Sequence, residues 1–335
     1  MAEGGRMHNR LFNSDGLLYS DQYEQMNTVI LPALEEKRQV KSVPGWNGNQ
    51  VMTDIYLPDH PQGTVLILHG FTECAIKYAE LIFSLLQHQY AVIAYDQRGH
   101  GRSWRKEGLE NTSVTHVEHM DDYLEDLNTV CDTVLSKFPR PWMLFAHSMG
   151  GAVAAMLLES RHDIFDKAVL CAPMIAPNIG GVPKAAALAL CRFFIAMNKG
   201  DRHVFFIQPY HGPEDFASSN ATDKNRFAWY DLVKAEHPEY QNSCPTYRWT
   251  YESISVTNRL LAKGKPESIT CPVLLYTAEL DGSVLPEPQK AFADRIPNCI
   301  HHFVKDAKHE IYRSEDSVLF PWWHEILSFL KEKAV

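Results

Sequence analysis

The chain has 335 residues, enough for one large domain with an insertion or for two ordinary domains. Hydrophobic residues at 45% and charged residues at 22% are the composition of a globular enzyme rather than of a disordered or membrane-spanning chain. A formal net charge of -9 leaves no footprint for nucleic acid and argues against general attraction to anionic surfaces, although a local basic patch remains compatible with it.

The first residues, Met1 to Asp21, are polar and hold no apolar run of the kind a secretory signal needs. Residues 1–38 are read as an N-terminal extension, followed by a first core segment over 39–172. Gln39–Val43 and Val51–Leu57 read as an antiparallel hairpin at a sheet edge. Thr64–His69, Tyr90–Asp96, Trp142–His147, Lys167–Ala172 and Pro272–Ala278 are nearly continuous apolar runs, as expected of parallel strands covered on both faces. Helical patterns fall between them at Ile76–His88, Val117–Phe138 and Met149–Arg161. The alternation predicts an α/β fold with a mostly parallel, doubly wound sheet.

The alternation stops after Pro173 and resumes near Cys271, so residues 173–270 are read as a helical insertion and 271–335 as the rest of the core. The insertion has no convincing strand and is too apolar to stay unfolded. Its first helix opens near Pro183 and is expected to end at Gly200. The greasy stretch Val182–Met197 carries Lys184 and Arg192 and is too short to cross a bilayer. Lying after the strand at 167–172, the insertion is expected over the C-terminal ends of the strands, where open α/β sheets bind ligands, and so reads as a lid. The seven cysteines are scattered without a Cys-x-x-Cys pair, the pattern of reduced, buried thiols in a cytoplasmic protein.

Chemistry enters at Trp142–Gly151, WMLFAHSMGG. A buried strand, a tight turn and a small-residue helix start are the context of a nucleophile elbow, which lifts a serine hydroxyl clear of the sheet. Ala146 and Gly150, two positions either side of Ser148, are small because larger side chains would clash in that strained turn. A serine nucleophile needs a base, and the base an orienting acid. Asp281 opens the loop after the strand at 272–278, with Glu279 as the rival acid. His309 follows a further strand, Cys299–Lys305, and precedes a terminal helical segment, Ser317–Lys331. The pair His301–His302 lies inside that strand pattern and reads as structural. Two N–H groups should stabilise the oxyanion: that of Met149, and that of Phe71 in the loop His69-Gly70-Phe71-Thr72. His69 itself is read as a support for this loop. The run Asp96–Ser103 reads as a hydrogen-bonded buttress, since its glycines lack phosphate-loop spacing. His116 and His119 could share a helix face, but with 16 histidines a chance pair is expected, and no metal or cofactor is called for.

Most of the chain resembles the lysophospholipase and monoglyceride-lipase group of α/β-hydrolases. The resemblance rests on His69-Gly70, Asp96-x-Arg98-Gly99-x-Gly101-x-Ser103, His147-Ser148-Met149-Gly150-Gly151, Ala172-Pro173-Met174 and Lys308-His309-Glu310. Lys77-Tyr78-Ala79-Glu80-Leu81 and Pro245-Thr246-Tyr247-x-Trp249-x-x-Glu252-Ser253-Ile254 are similar to the bacterial lysophospholipase branch. The resemblance implies hydrolysis of a single-acyl lipid ester without a cofactor, with the head group left open. Monoacylglycerol lipase, short-chain or aryl esterase, aminopeptidase and a non-catalytic binding protein of the same fold stay as alternatives. On that reading Phe193 and Phe194 of the insertion would meet an acyl chain, with Arg248, Lys224 and Arg226 as head-group candidates. The insertion would touch a membrane surface transiently, making the protein peripheral to the inner membrane face.

Overall fold

The computed structural model describes residues 10–332; residues 1–9 of the expected extension and 333–335 of the last core segment lie outside them. In chain order the elements are α1 (Ile30–Lys37), β1 (Arg38–Pro44), β2 (Gln50–Tyr56), β3 (Thr64–Leu68), α2 (Ala79–Gln87), β4 (Ala91–Tyr95), β5 (Val114–Thr115), α3 (Met120–Thr133), β6 (Trp142–His147), α4 (Met149–Leu158) and β7 (Lys167–Cys171). Then come α5 (Lys184–Ala196), α6 (Lys224–Glu236), β8 (Cys244–Pro245), α7 (Tyr247–Leu260), β9 (Val273–Ala278), α8 (Pro286–Ala293), β10 (Cys299–Val304) and α9 (Asp316–Lys331).

Eight strands form one sheet in the order β1-β2-β4-β3-β6-β7-β9-β10. The β1–β2 and β2–β4 pairs are antiparallel and the pairs from β4 to β10 are parallel, which is the α/β-hydrolase arrangement. The continuous apolar runs are explained by the two faces of the sheet. Leu66 and Leu68 of β3 join a core with α3, α4 and α8, while Val65 and Ile67 join one with α1, α2 and α9. Side chains alternate between faces, so a strand covered on both sides must be apolar throughout. Every residue of α4 is buried, as a helix carrying no polar face requires.

The structure departs from the sequence reading in several places. The described part of the N-terminal extension packs on the core: Leu17, Leu18, Met26 and Ile30 are fully buried in one cluster with residues of α2 and α9. Helix α3 starts at Met120 rather than Val117, because Val114–Thr115 pairs with Cys244–Pro245 and the His119 N–H is taken by the Asp122 carboxylate. That short β5–β8 ladder ties the insertion to the core, and no strand was expected there. The helix expected over 76–88 is a 3₁₀ turn at Ala75–Tyr78 followed by α2. Helix α5 stops at Ala196, where Asn198 takes a positive φ of 55°, short of Gly200. Arg226 of α6 is 0% exposed: it donates to Leu18 O at 2.7 Å, Asp316 at 2.8 Å and Asp223 at 3.2 Å, with Glu80 3.4 Å away. It is a buried tie between distant segments, and not free to meet a head group. Among the described residues no helix is long and apolar enough to cross a membrane.

Candidate active site

Strand β6 runs buried to His147, and α4 begins at Met149 with no residue to spare between them. Ser148 therefore makes the whole turn, at φ 51° and ψ -118°, a conformation that costs a non-glycine residue on the order of 1–3 kcal/mol. The turn is pinned from β7: the Ser148 N–H donates to Cys171 O at 3.1 Å, and Met174 N–H donates to Ser148 O at 2.8 Å. The need for glycine at position 150 is steric, since a Cβ there would stand 2.6 Å from the carbonyl oxygens of Leu68 and His69.

Loops at the C-terminal ends of β9 and β10 bring two more side chains to this turn. Nε2 of His309 lies 2.8 Å from the Ser148 hydroxyl, and Nδ1 lies 2.7 Å from Oδ2 of Asp281. All three side chains are nearly buried. Burial alone would raise the Asp281 pKa; the hydrogen bond and charge of His309, with the N–H groups of Val284 and Ser283 on Oδ1, pull it below the usual value. The rival Glu279 turns away and accepts from Asp306 N–H at 2.9 Å. A carboxylate, an imidazole and a hydroxyl in one hydrogen-bonded line can move a proton from the serine as it attacks.

The Phe71 N–H, in the loop after β3, and the Met149 N–H, first in α4, have no protein acceptor among the described residues. The loop is held firmly. Nδ1 of His69 donates to Gly70 O at 2.7 Å and its Nε2 accepts from Gln97 N–H at 2.8 Å. Burial keeps that ring neutral, with its pKa below the ordinary value despite Asp96. Asp96 is a buttress: it accepts from Ala75 N–H and from both the backbone and side chain of Arg102. From above, Trp249 of α7 lies 4.1 Å from the Phe71 ring, and its indole N–H donates to Tyr123.

Under the site lies a buried polar cluster that sequence reasoning passed over. The Glu73 carboxylate accepts from Gly70 N–H, Tyr78 and Tyr312, each at 2.6 Å, and contacts Lys77 at 3.3 Å and His147 Nδ1 at 3.2 Å. Lys77 donates to Glu310 at 2.6 Å, and Arg313 donates to the other oxygen of Glu310 at 2.6 Å. Nε2 of His147 donates to the His309 carbonyl at 3.1 Å. Both nitrogens of His147 face acceptors, so the ring is an imidazolium; burial opposes this, but Glu73 raises its pKa above the usual value. Burial also opposes the charge on Glu73, yet Lys77 and His147 hold its pKa well below normal, and Glu310 falls to about 2 against its own desolvation through Lys77 and Arg313. The signal was present in part, because Lys77 and Glu310 lie in the family-like motifs; Glu73 had no pattern to mark it.

The other candidates are placed elsewhere. Phe193 is 59% exposed, Phe194 stacks on Tyr247 at 4.0 Å, and Arg248 lies 3.7 Å from Glu118. These contacts belong to the insertion and its junction with the core rather than to the triad. His116 and His119 do not share a helix face: His116 precedes α3 and bonds Thr246 and Glu118, while His119 caps the helix. Among the described residues no group of three or more His, Cys, Asp or Glu side chains is arranged to hold a metal ion.

Comparison with known proteins bears on the family and the fold. The model of one family, serine aminopeptidase S33, matches residues 59–316. Lysophospholipase L2 of Escherichia coli is 29% identical over 287 residues, covering 81% of each chain. A monoacylglycerol lipase of Mycolicibacterium smegmatis is 28% identical over 154 residues, 45% of this chain and 52% of the other. In structure, a carboxyl esterase from Bacillus coagulans superposes with a TM-score of 0.68 at 20% identity, over 89% of this chain and 99% of that one. The monoglyceride lipase of Saccharomyces cerevisiae gives 0.66 at 16%, over 88% and 95%.

Proposed function

The chain belongs to the serine aminopeptidase S33 family of α/β-hydrolases, and from the chemistry of its site we propose that it hydrolyses the carboxylic ester of single-acyl lipids, foremost lysophospholipids. Ser148 Oγ attacks the ester carbonyl while Nε2 of His309 takes its proton. Asp281 holds Nδ1–H and balances the imidazolium that forms. The N–H groups of Phe71 and Met149 receive the oxyanion. The alcohol leaves with the proton from His309, and Ser148 keeps the acyl group. Water then attacks that ester, giving its proton to His309, and the fatty acid departs with Ser148 restored.

The observation that carries this reading is the strained Ser148, its hydroxyl 2.8 Å from a histidine whose far nitrogen sits on a buried carboxylate. The lipid class is supported by the lysophospholipase relative, which aligns with 81% of this chain. It is supported also by the insertion, where Phe193, Met197, Phe205 and Phe206 are each more than half exposed. Helix α5 carries Lys184 and Arg192 and no acid, so this face suits transient contact with a lipid surface. We take residues 173–270 as a lid on these grounds. A monoacylglycerol lipase is the second reading, favoured by the shorter Mycolicibacterium match. A purely binding role is disfavoured by an intact Ser-His-Asp line.

Turnover of lysophospholipids, monoacylglycerols and p-nitrophenyl esters of graded chain length tests the reading, alongside fluorophosphonate labelling. Single-acyl lipids with medium to long chains should be preferred and Ser148 alone labelled. A clear preference for acetyl or aryl esters would move the protein to the general esterases, and labelling of another serine would remove Ser148 from its role.

A further inference from the structure

The central sheet has two edges, and they are built differently. β1 presents Arg38, Lys41 and Pro44 among mostly exposed positions. Charged side chains and proline keep another chain from pairing with an open edge. β10, at the other end of the sheet, reads CIHHFV and carries no lysine, arginine or proline. It has no bulge either, since Cys299–Val304 match Val273–Ala278 of β9 residue for residue. Ile300 is 49% and Phe303 58% exposed on this unguarded strand. An open edge of that kind is a template for a further strand.

Backbone direction decides what can pair with it. Val273 N–H donates to Asn298 O and Glu279 N–H donates to Val304 O, so the even-numbered residues of β10 face β9. Cys299, His301 and Phe303 therefore turn their N–H and C=O groups outward, where no described residue takes them. These positions are symmetric about His301. An antiparallel copy of the same strand centred there would set His301 opposite His301 and Cys299 opposite Phe303, each pair exchanging both its hydrogen bonds. The side chains agree with that register. The exposed Phe303 ring of one copy would cover the half-buried Cys299 of the other. On the other face Ile300 would stand opposite His302, beside a groove of about 470 Å³ lined by Tyr276, Val304, Pro321 and Trp322. The charges agree as well. Asp294 flanks the start of the strand, near enough for its charge to act on Cys299 and His301. Lys305 follows the end of the strand, exposed and in no ion pair among the described residues. Antiparallel pairing brings Lys305 of each copy towards Asp294 of the other.

We propose that two copies of this chain pair through β10 about a twofold axis at His301, continuing the sheet from one subunit into the other and seating Ile300 of each in the groove of its neighbour. The pairing does not depend on which ester the site cleaves.

Sedimentation velocity of the full chain tests it. At about 50 µM the native protein should sediment as a dimer of 38.2 kDa chains, dissociating with a micromolar Kd as small interfaces do. Ile300→Lys and Phe303→Lys, both at exposed positions, should each weaken the dimer by about tenfold, with p-nitrophenyl butyrate turnover and melting near native. In a Cys299→Ser background, His301→Cys should join two chains by a disulfide on mild oxidation, because facing residues of a hydrogen-bonded pair lie about 5.5 Å apart. Lys41→Cys, on the guarded edge, should not. A native chain that stays monomeric at about 100 µM overturns the proposal and leaves this edge to a different protein. A dimer that survives both lysine substitutions, or that His301→Cys fails to cross-link, places the contact elsewhere and overturns it equally.

Discussion

Beneath Ser148 and His309, the charged groups of Glu73, Lys77, His147 and Glu310 all meet partners and are nearly buried. On the outer face of α5 and the loop after it, Phe193, Phe205 and Phe206 stand in solvent, Phe193 edge-on to Phe194 and Phe205 edge-on to Phe206. The two regions follow different physical rules. An unmatched buried charge costs several kcal/mol, so each charged group of the floor keeps a counter-charge, and these pairs fix the loops above it. An exposed phenyl ring costs little, and the outer face can keep whatever shape a soft, variable surface rewards. Positioning is concentrated below the triad, and adaptability above it.

The largest effect should come from the triad itself, which rests on that floor. Ser148→Ala or His309→Ala should lower kcat/KM by roughly 10⁴- to 10⁶-fold while thermal melting stays within a few degrees of the native protein. Asp281→Asn should be severe but leave more residual rate. If Glu279→Gln proves worse than Asp281→Asn, the acid has been misassigned.

Removing charge from the floor should affect both rate and stability. Glu73→Gln leaves Lys77 and His147 with reduced compensation, and a loss on the order of 3 kcal/mol is expected in denaturant unfolding. Its pH dependence identifies the cause. Glu73 has a depressed pKa, so its contribution is present above the unfolded carboxylate value and is lost as pH falls through the folded one. His147 has a raised pKa, so its contribution is present below the unfolded imidazole value and is lost as pH rises through the folded one. The deficit of the variant should thus be greatest between about pH 5 and 7 and shrink towards acid. A deficit independent of pH would mean that shape, and not charge, matters at this site.

Glu159 sharpens the comparison as a buried group that breaks the rule. Neither of its carboxylate oxygens has a hydrogen-bond partner among the described residues, and burial lifts its pKa to about 8. A raised carboxyl pKa costs stability as pH climbs through the unfolded value, about 4.3, towards the folded one. Glu159→Gln should therefore stabilise the protein by about 1–2 kcal/mol at pH 8 and by almost nothing at pH 4, as read from paired melts. No gain at pH 8 would show that Glu159 is satisfied by solvent. The smallest effect belongs to the outer face. A Phe205→Ser/Phe206→Ser pair should leave p-nitrophenyl butyrate turnover within about twofold and weaken binding to phosphatidylglycerol vesicles by about tenfold, as expected if the two rings, each worth roughly 2 kcal/mol when fully buried, sink about a third of the way into the surface. Unchanged vesicle binding would take the membrane role from this face.

What could be read in advance follows from how each signal is encoded. The strands of the central sheet were legible because burial on both faces forces unbroken apolar runs, and Ser148 was legible because an elbow constrains its immediate neighbours. Asp281 and His309 depended on chain order and loop position. Glu73 was not legible: a carboxylate that bonds Tyr312 and His147 across the fold leaves no local periodicity. The burial of the N-terminal segment was not legible for a related reason, because two leucines, Leu17 and Leu18, among polar residues give no pattern, although both are fully buried. The His116/His119 spacing suggested a helix face only until a distant two-residue strand displaced the helix start.

Arg226 has a consequence for how the protein is made. Its guanidinium is complete only when Leu18, Glu80 and Asp316 are all present around it. A ribosome adding about 5–20 residues per second needs roughly 5–20 seconds more to pass from that arginine to Asp316, and longer to release it from the exit tunnel. Until then the nascent chain carries a cation committed to the interior without its full set of partners. Folding of this region is completed only when the segment carrying Asp316 emerges, and until then Arg226 has Glu80 and Asp223 as its counter-charges.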